Sequence, residues 1–203
     1  GDYTFQVVEN TTTDAPGWTY ASREENAKTI TVKVTDDFTG QLVATTVVDG
    51  NDTNNPTFTN SYKAEEGTTG DDAETGIQVT KKVTGHDAIE AFEFSLSLKD
   101  AQNADVVFEG KGEDKTAFDG MTATTSNGIK NGAAETKTFD DITFTAEGDY
   151  TFMVDETTEK TDGGWTYDTD TEEVTVHVKD DGKGKLYIDS IDNNAPIFEN
   201  IYK

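Results

Sequence analysis

Three polar residues, a lysine, a glutamate and an asparagine, fall on strand faces that are otherwise apolar. The lysine is Lys81, which continues the alternating apolar face of residues 77–83. The glutamate is Glu156, which ends the apolar face of residues 150–156, and Asn200 lies between two inward aromatic residues. Lysine is rarely buried without a partner, and an asparagine is costly to bury without hydrogen bonds. The three residues are therefore candidates for a common site.

A buried lysine, glutamate and asparagine can form an amide between two side chains. Burial lowers the pKa of a lysine and raises the pKa of a carboxyl group, because a low dielectric disfavours both charges. A neutral lysine amine is a nucleophile, and a protonated glutamate can donate to the asparagine carbonyl and shuttle protons. Attack on the carboxamide carbon then releases ammonia, and fixed packing supplies the proximity without a cofactor. Because this happens once per domain, we expect maturation by self-cross-linking and not an enzyme.

The lysine and the glutamate also have a purely structural interpretation. Lys81 could leave the sandwich at a strand end and extend its ammonium group to water. An inward glutamate is often just the point where a strand reaches the surface. The glutamate and the asparagine, however, each occur a second time in the same sequence context, as Glu9 and Asn60.

The recurrence reflects a repeat within the chain. Residues 1–63 begin with GDYTFQVVEN and end with FTNSYK, and residues 148–203 begin with GDYTFMVDET and end with FENIYK. Residues 76–147 precede the second copy, and nothing comparable precedes the first. We therefore expect residues 1–63 to be the C-terminal half of a first domain. Residues 64–75, AEEGTTGDDAET, are predicted to be a linker, and residues 76–203 to form a complete second domain.

Period-two alternation of apolar and polar residues runs through most of the chain. It predicts strands with one buried and one exposed face, and no segment has a convincing helical stripe. Turn signals such as Asn127-Gly128 and Asn131-Gly132 separate the strands. Short strands with such turns predict an all-β fold built from β-sandwiches.

The charge of the chain excludes several classes of partner. The sequence has 16 Lys and Arg against 41 Asp and Glu, for a net charge of −25. Nucleic-acid binding needs clustered positive charge, and the same argument applies to anionic membranes. There is no run of 18 apolar residues, so we expect no membrane insertion in this segment. We therefore predict neither a nucleic-acid partner nor a membrane partner.

We predict no metal site and no cofactor. His86 and His177 are isolated and follow no ligand spacing. The acidic stretches at 49–55 and 166–173 lack the calcium-loop pattern with its closing glutamate. Tryptophans occur at the same place in each copy, in GWTY, which favours packing over a binding platform.

The order of the motifs resembles the pilin isopeptide-linkage domains of Gram-positive surface proteins, typified by the streptococcal backbone pilins. The motifs that carry the resemblance are VTKKVTG at 79–85, FEFSLSL at 92–98, GDYTFMVDE at 148–156 and FENIYK at 198–203. The first copy resembles the second half of such a domain. The resemblance implies tandem immunoglobulin-like sandwiches of the CnaB type, the first one incomplete at its N-terminus.

The resemblance also implies roles for the polar residues. In the family a lysine of the first strand bonds to an asparagine of the last strand, assisted by a glutamate. These residues correspond to Lys81, Asn200 and Glu156 here. Glu9 and Asn60 are their equivalents in the first copy, which has no lysine strand of its own. We therefore expect residues 1–63 to be completed from outside this segment, by upstream sequence or a neighbouring chain, with a lysine facing Asn60.

The function implied by the resemblance is structural. We expect a stalk or pilus repeat of a bacterial cell-surface protein, extracellular and attached to the cell wall. Its partners would be neighbouring repeats or chains of the same fibre. The alternative is an adhesin domain of the same fold that binds a host ligand through its surface loops.

Overall fold

The computed structural model describes residues 1–10, 15–21, 26–49, 55–158 and 163–203. The chain divides into two compact units, Gly1–Lys63 and Ala64–Lys203. The strands of the first unit are β1 (Asp2–Val7), β2 (Trp18–Thr19), β3 (Lys28–Asp36), β4 (Leu42–Val48) and β5 (Ser61–Tyr62).

The second unit is also built from strands. They are β6 (Gly67–Thr68), β7 (Gln78–Thr84), β8 (Glu93–Leu98), β9 (Val107–Glu109), β10 (Thr116–Ala117), β11 (Met121–Thr124), β12 (Ala134–Thr138), β13 (Ile142–Phe144), β14 (Gly148–Glu156), β15 (Trp165–Thr166), β16 (Thr171–Asp180), β17 (Leu186–Asp192) and β18 (Ile197–Tyr202). Two short 3₁₀ helices, Ala101–Val106 and Gly112–Asp114, interrupt them. The described residues contain no α-helix, and the predicted all-β class is confirmed.

Two sheets enclose the core of the second unit. One has the order β11-β8-β14-β16-β17, and the other has the order β12-β7-β18-β15. The second sheet brings the first long strand beside the last, because β18 pairs with β7 in parallel, with Phe198 opposite Lys81. A third sheet, β10-β9-β13-β6, lies in the same unit. The arrangement is consistent with the immunoglobulin-like sandwich expected from the sequence.

The alternating faces are buried as the period of two requires. Along β7 the side chains of Val79, Lys81 and Val83 are fully buried, and the residues between them are partly exposed. Along β14 the buried side chains are Tyr150, Phe152 and Val154. The buried tyrosine hydroxyl donates to the carbonyl of Ala146 (2.9 Å), so its polar end is satisfied inside the core.

The sequence predicts a linker at residues 64–75, but the structure places this segment in the second unit. Its strand β6 pairs with β13, and the buried hydroxyl oxygen of Thr69 accepts a hydrogen bond from the Ile142 amide (2.8 Å). A Cβ on Gly67 would lie 3.1 Å from the backbone of Leu186. The segment packs through backbone hydrogen bonds and through the close approach of Gly67 to the Leu186 backbone. Because these contacts need no apolar side chains, the composition of the segment does not predict them.

In its described residues, the first unit repeats part of this architecture, without counterparts of strands β6 to β13. Its sheets have the orders β1-β3-β4 and β2-β5, which match β14-β16-β17 and β15-β18. Tyr3 and Phe5 on β1 are 58% and 54% exposed, whereas Tyr150 and Phe152 at the same positions of β14 are 2% and 0% exposed. Among the described apolar residues of this unit, Val48 is the one that is buried.

Candidate functional site

The three polar residues reach one point from both sheets of the second unit. Lys81 lies on β7 and Asn200 on its parallel neighbour β18, where Asn200 is opposite Val83. Glu156 is the last residue of β14, in the facing sheet. The strand pairing therefore places the amine and the carboxamide side by side, with the carboxylate across the core from them.

Glu156 contacts both of the other side chains. Lys81 donates from Nζ to Glu156 Oε2 (2.7 Å). Asn200 donates from Nδ2 to Glu156 Oε1 (2.8 Å). One carboxylate thus bridges the amine and the amide nitrogen, with a different oxygen for each.

The site is closed to solvent. The Lys81 side chain is 0% exposed and the Glu156 side chain 2%, and Asn200 is fully buried. The Lys81 ammonium nitrogen lies 4.7 Å from the centroid of the Phe92 ring. Burial lowers the pKa of Lys81 from its ordinary 10.5, although the hydrogen bond and charge of Glu156 act in the opposite direction. The structure therefore excludes the alternative in which Lys81 reaches water.

The orientation of Asn200 differs from the sequence-based expectation. That expectation has a protonated glutamate donating to the asparagine carbonyl. In the structure Glu156 accepts from the amide nitrogen instead, and the backbone N–H of Asp168 donates to Asn200 Oδ1 (2.7 Å). The reason is the strand geometry, which brings the loop after β15 against the carbonyl side of the carboxamide.

Sequence reasoning missed Asp168, which holds this loop against β18. Its side-chain Oδ2 accepts from the backbone N–H of Glu199 (2.9 Å), the residue before Asn200. The signal that could have found it is the repeated GWTY motif, since Asp168 and Ala21 both directly follow it. A backbone N–H can belong to almost any residue type, so the residue type at 168 does not reveal the donor. Only the matching position after the two GWTY motifs indicates it.

The first unit carries a matching half of this site. Asn60 donates from Nδ2 to Glu9 Oε1 (2.8 Å), and the backbone N–H of Ala21 donates to Asn60 Oδ1 (2.9 Å). The second carboxylate oxygen, Glu9 Oε2, is buried and has no hydrogen-bond partner among the described residues. Its counterpart in the second unit is the oxygen that accepts from Lys81.

Other candidate chemistry is not assembled in the part of the chain that the structure describes. No group of three or more histidine, cysteine or acidic side chains there is arranged to hold a metal. His177 lies between Asp192 and Asp149, whose hydrogen bonds raise its pKa above the usual value. Of the acidic stretch at 49–55, residues 50–54 lie outside the described residues. None of the described helices has the length and apolar composition needed to cross a membrane.

The tryptophans of the two GWTY motifs pack against tyrosines of the last strand of each unit. Trp165 is paired across strands with Tyr202, with ring centroids 5.3 Å apart. Trp18 is paired in the same way with Tyr62, at 5.4 Å. The equivalence of the two pairs supports the packing interpretation over a binding platform.

The geometry supports one reaction in particular, the joining of two side chains. A buried amine, a carboxamide and a bridging carboxylate are held together with the carboxamide oxygen on a backbone donor. A general base in hydrogen-bond contact with both the nucleophile and the leaving nitrogen meets the geometric requirement for acid–base catalysis. The shared carboxylate holds the amine and the carboxamide near each other, which favours a reaction between them.

Comparison with known proteins gives a family for most of the chain. The model of the family described as FctA, Spy0128-like isopeptide containing domain, matches residues 1–63 and 77–203. A search of curated protein sequences finds no significant match.

Solved structures of streptococcal pilins are also similar to this chain. The major pilin from Streptococcus pyogenes is 20% identical, with a TM-score of 0.30, and the match covers 100% of this chain and 70% of that one. The T3.2 major pilin of the same species is 19% identical, with a TM-score of 0.26, over 99% and 66% of the two chains. The T-13 major pilin is 15% identical, with a TM-score of 0.24, over 100% and 67%. At these TM-scores the family assignment rests on the family model.

Proposed function

The chain belongs to the family of Spy0128-like isopeptide containing domains, the pilin isopeptide domains of Gram-positive bacteria, and we propose that it is a structural part of a surface pilus. In this proposal the second unit is closed by an autocatalytic amide between Lys81 and Asn200. The observation that carries it is the single carboxylate, Glu156, in contact with both side chains in a closed core. The reaction occurs once in each unit, so the chain is not an enzyme that turns over a substrate.

Glu156 is the proton carrier of the proposed reaction. Its Oε2 takes a proton from Lys81, which leaves a neutral amine, and burial of the amine favours this transfer. The amine attacks Cγ of Asn200, and the Cγ–Nδ2 bond breaks when Nδ2 receives a proton from the carboxyl group. Nζ then gives its second proton to the Glu156 carboxylate, the Nζ–Cγ amide remains, and ammonia leaves.

The position of the bond suits a protein that carries tension. Pulling on the ends of the second unit loads β7 and β18, which lie side by side in parallel. A covalent link between these two strands prevents them from sliding apart. In the chain-entropy model, closing a loop of about 120 residues stabilises the folded state by roughly 4–5 kcal/mol. Unlike a disulfide, an amide is not broken by reduction.

This role places the protein outside the cell, in a fibre attached to the cell wall. Its partners in the proposal are neighbouring repeats or further chains of the same fibre. The strongly acidic surface, with a net charge of −25, keeps the chain soluble and separate from unrelated neighbours.

We place the same chemistry at Asn60, with a lysine supplied from outside residues 1–63. The exposed apolar face of β1 and the buried oxygen Glu9 Oε2 support this placement, because an added lysine-bearing strand would satisfy both. In the assembled fibre, peptide mapping should find Asn60 joined to such a lysine. An unmodified Asn60 in the assembled protein would contradict it.

The proposal for the second unit is tested by the intact mass of the denatured protein and two lysine variants. The wild-type mass should be lower than the sequence mass by one ammonia. Lys81→Met should remove this difference, whereas Lys82→Met should keep it, because Lys82 lies on the opposite face and pairs with Glu199 (3.0 Å). A wild-type chain of full sequence mass, or a Lys81→Met chain that still loses ammonia, contradicts the proposed bond.

A further inference from the structure

The direction of the Asn200 carboxamide is fixed by its two neighbours. A backbone N–H can only donate, so the atom that faces the Asp168 amide at 2.7 Å is the carbonyl oxygen Oδ1. The nitrogen Nδ2 then faces the Glu156 carboxylate at 2.8 Å, which suits a carboxylate that accepts. Oxygen and nitrogen are thus assigned consistently from both sides of the group.

The same assignment holds in the first unit with a different residue. Ala21 donates its backbone N–H to Asn60 Oδ1 at 2.9 Å. Alanine has no polar side chain, so the feature that the two sites share is the backbone donor and not the aspartate. Both donors directly follow a GWTY motif. The tryptophan of that motif is paired with β18, which contains Asn200, or with β5, which directly follows Asn60.

We propose that the backbone N–H of Asp168 is a catalytic group, the oxyanion donor of the cross-linking reaction. This inference rests on the proposed Lys81–Asn200 bond. When Nζ attacks Cγ, the electrons of the C=O bond move to Oδ1, which becomes negatively charged. A donor already fixed on that oxygen stabilises the charge where it develops and needs no reorganisation during the reaction.

The protons balance with Glu156 as carrier. Two protons leave Lys81 Nζ: one passes through the carboxyl group to Nδ2, which departs as ammonia, and the other goes from the carboxyl group to solvent. The Nζ–Cγ bond forms, the Cγ–Nδ2 bond breaks, and Oδ1 returns to a carbonyl oxygen. Glu156 therefore acts on the two nitrogens, and the backbone of Asp168 acts on the oxygen.

The aspartate side chain has a separate, positioning role. Its Oδ2 accepts from the Glu199 amide (2.9 Å), and its Oδ1 accepts from the Asp170 amide (3.1 Å). These contacts hold the loop after β15 against β18. Because Ala21 presents its N–H without such contacts from its own side chain, the carboxylate is not required for the donor to reach the oxygen.

The test replaces the amide N–H with an ester oxygen. The full chain is assembled by ligation of peptide segments in denaturant, so that it is linear before refolding, with malic acid in place of Asp168. A matched control carries phenyllactic acid in place of Phe118, whose N–H donates to Val107 O (3.2 Å) away from the site. After refolding, the loss of ammonia is followed by mass spectrometry in molecules that tryptophan fluorescence shows to be folded.

We expect the ester at 168 to slow cross-linking by about 100-fold or more, the cost of removing one oxyanion donor. The ester at 118 should react at close to the wild-type rate. The Asp168→Ala variant keeps the N–H but loses the side-chain contacts that position the loop, and it should be slowed much less than the ester at 168. A wild-type rate for the 168 ester overturns the inference. So does an Asp168→Ala rate as slow as that of the ester, since the side chain would then carry the effect.

A second measurement does not depend on the folding of the ester chain. Asp168 lies between β15 and β16, so its amide has no strand partner, and its hydrogen exchange reports on the contact with Asn200. In the folded wild-type chain this amide should exchange as slowly as the amides of β14. Fast exchange overturns the inference. A protected amide in a wild-type chain that never loses ammonia would contradict the proposed Lys81–Asn200 bond. It would leave the hydrogen bond between Asp168 and Asn200 in place.

Discussion

At the residue scale, Glu156 is the group that both reacting side chains contact. Lys81 is fully buried with this carboxylate as its hydrogen-bond partner, at 2.7 Å. Removing one member of a buried ion pair leaves an unpaired charge and costs several kcal/mol. The presence of the pair is nevertheless weak evidence for added stability, because the cost of taking two charges out of water can exceed their attraction.

Glu156→Gln should abolish cross-linking while preserving the shape of the site. Glutamine has the same shape and can still accept one hydrogen bond through its oxygen, but it cannot take a proton from Lys81 or deliver one to Asn200. The denatured mass should then equal the sequence mass of the variant. Glu199→Gln is the matched control, because its carboxylate pairs with Lys82 and lies outside the core, and it should still lose ammonia. Cross-linked Glu156→Gln protein would show that another group moves the protons.

The rate of cross-linking should pass through a maximum as the pH changes. The reactive form of the Lys81–Glu156 pair holds one proton, with a neutral amine and a protonated carboxyl group. In acid the pair holds two protons and the amine is not nucleophilic. As the pH rises through the pKa of Lys81, which burial lowers from 10.5, the pair loses its last proton and Nδ2 cannot be protonated.

This profile is measured by refolding linear chain at a series of pH values and following the loss of ammonia. Tryptophan fluorescence shows at each pH that the chain is folded. A rate that continues to rise through the alkaline range would mean that only the neutral amine limits the reaction. In that case the proton transfer assigned to Glu156 is wrong.

At the element scale, the two copies form a comparison within one chain. Strands β1 and β14 have nearly the same sequence, but β14 is paired on both sides, by β8 and β16, and β1 is paired by β3 alone in the described sheets. The aromatic residues of β1 are consequently more than half exposed. A unit that buries little apolar surface is correspondingly less stable.

Hydrogen exchange on the intact chain should separate the two copies. The amides of β1 and β3 should exchange much faster than those of β14 and β16, because fewer buried contacts protect them. Mass spectrometry of peptides from the two GDYTF segments gives the comparison, with nearly matched sequences serving as mutual controls. Equal protection of β1 and β14 would show that residues 1–63 are stable without added strands.

The strands that hold the site could be predicted from the sequence because their alternation is clear. Lys81 and Asn200 are predictable as inward residues, since they continue faces of apolar and aromatic side chains. Strands such as β6 are not predictable, because Gly67 and Thr68 are held by backbone pairing with β13. The donor at Asp168 has no side-chain signature either, because a backbone N–H is present at almost every residue.

At the scale of the whole molecule, the proposed bond determines how far the second unit can extend. A link between Lys81 and Asn200 leaves only the residues of the unit before Lys81 and after Asn200 free to stretch. These are roughly 20 residues, or about 70 Å when extended. Without the link the whole unit of roughly 140 residues could extend to about 490 Å.

Single-molecule pulling on the intact chain should therefore show no long unfolding step from the second unit. The Glu156→Gln variant, which we expect to remain linear, should show the long step. The two proteins differ only at residue 156, so a difference in their extension reports the presence or absence of the Lys81–Asn200 bond. A wild-type chain that extends as far as the variant would mean that β7 and β18 are not joined.

The central claim is tested most directly by identifying the bonded residues in the folded protein. Proteolysis followed by tandem mass spectrometry should yield a branched peptide in which the Lys81 and Asn200 segments are joined, with the mass of one ammonia missing. Trypsin should also fail to cleave after Lys81, since its side chain has become an amide. Recovery of separate linear peptides that contain an unmodified Lys81 and an intact Asn200 carboxamide would contradict the account.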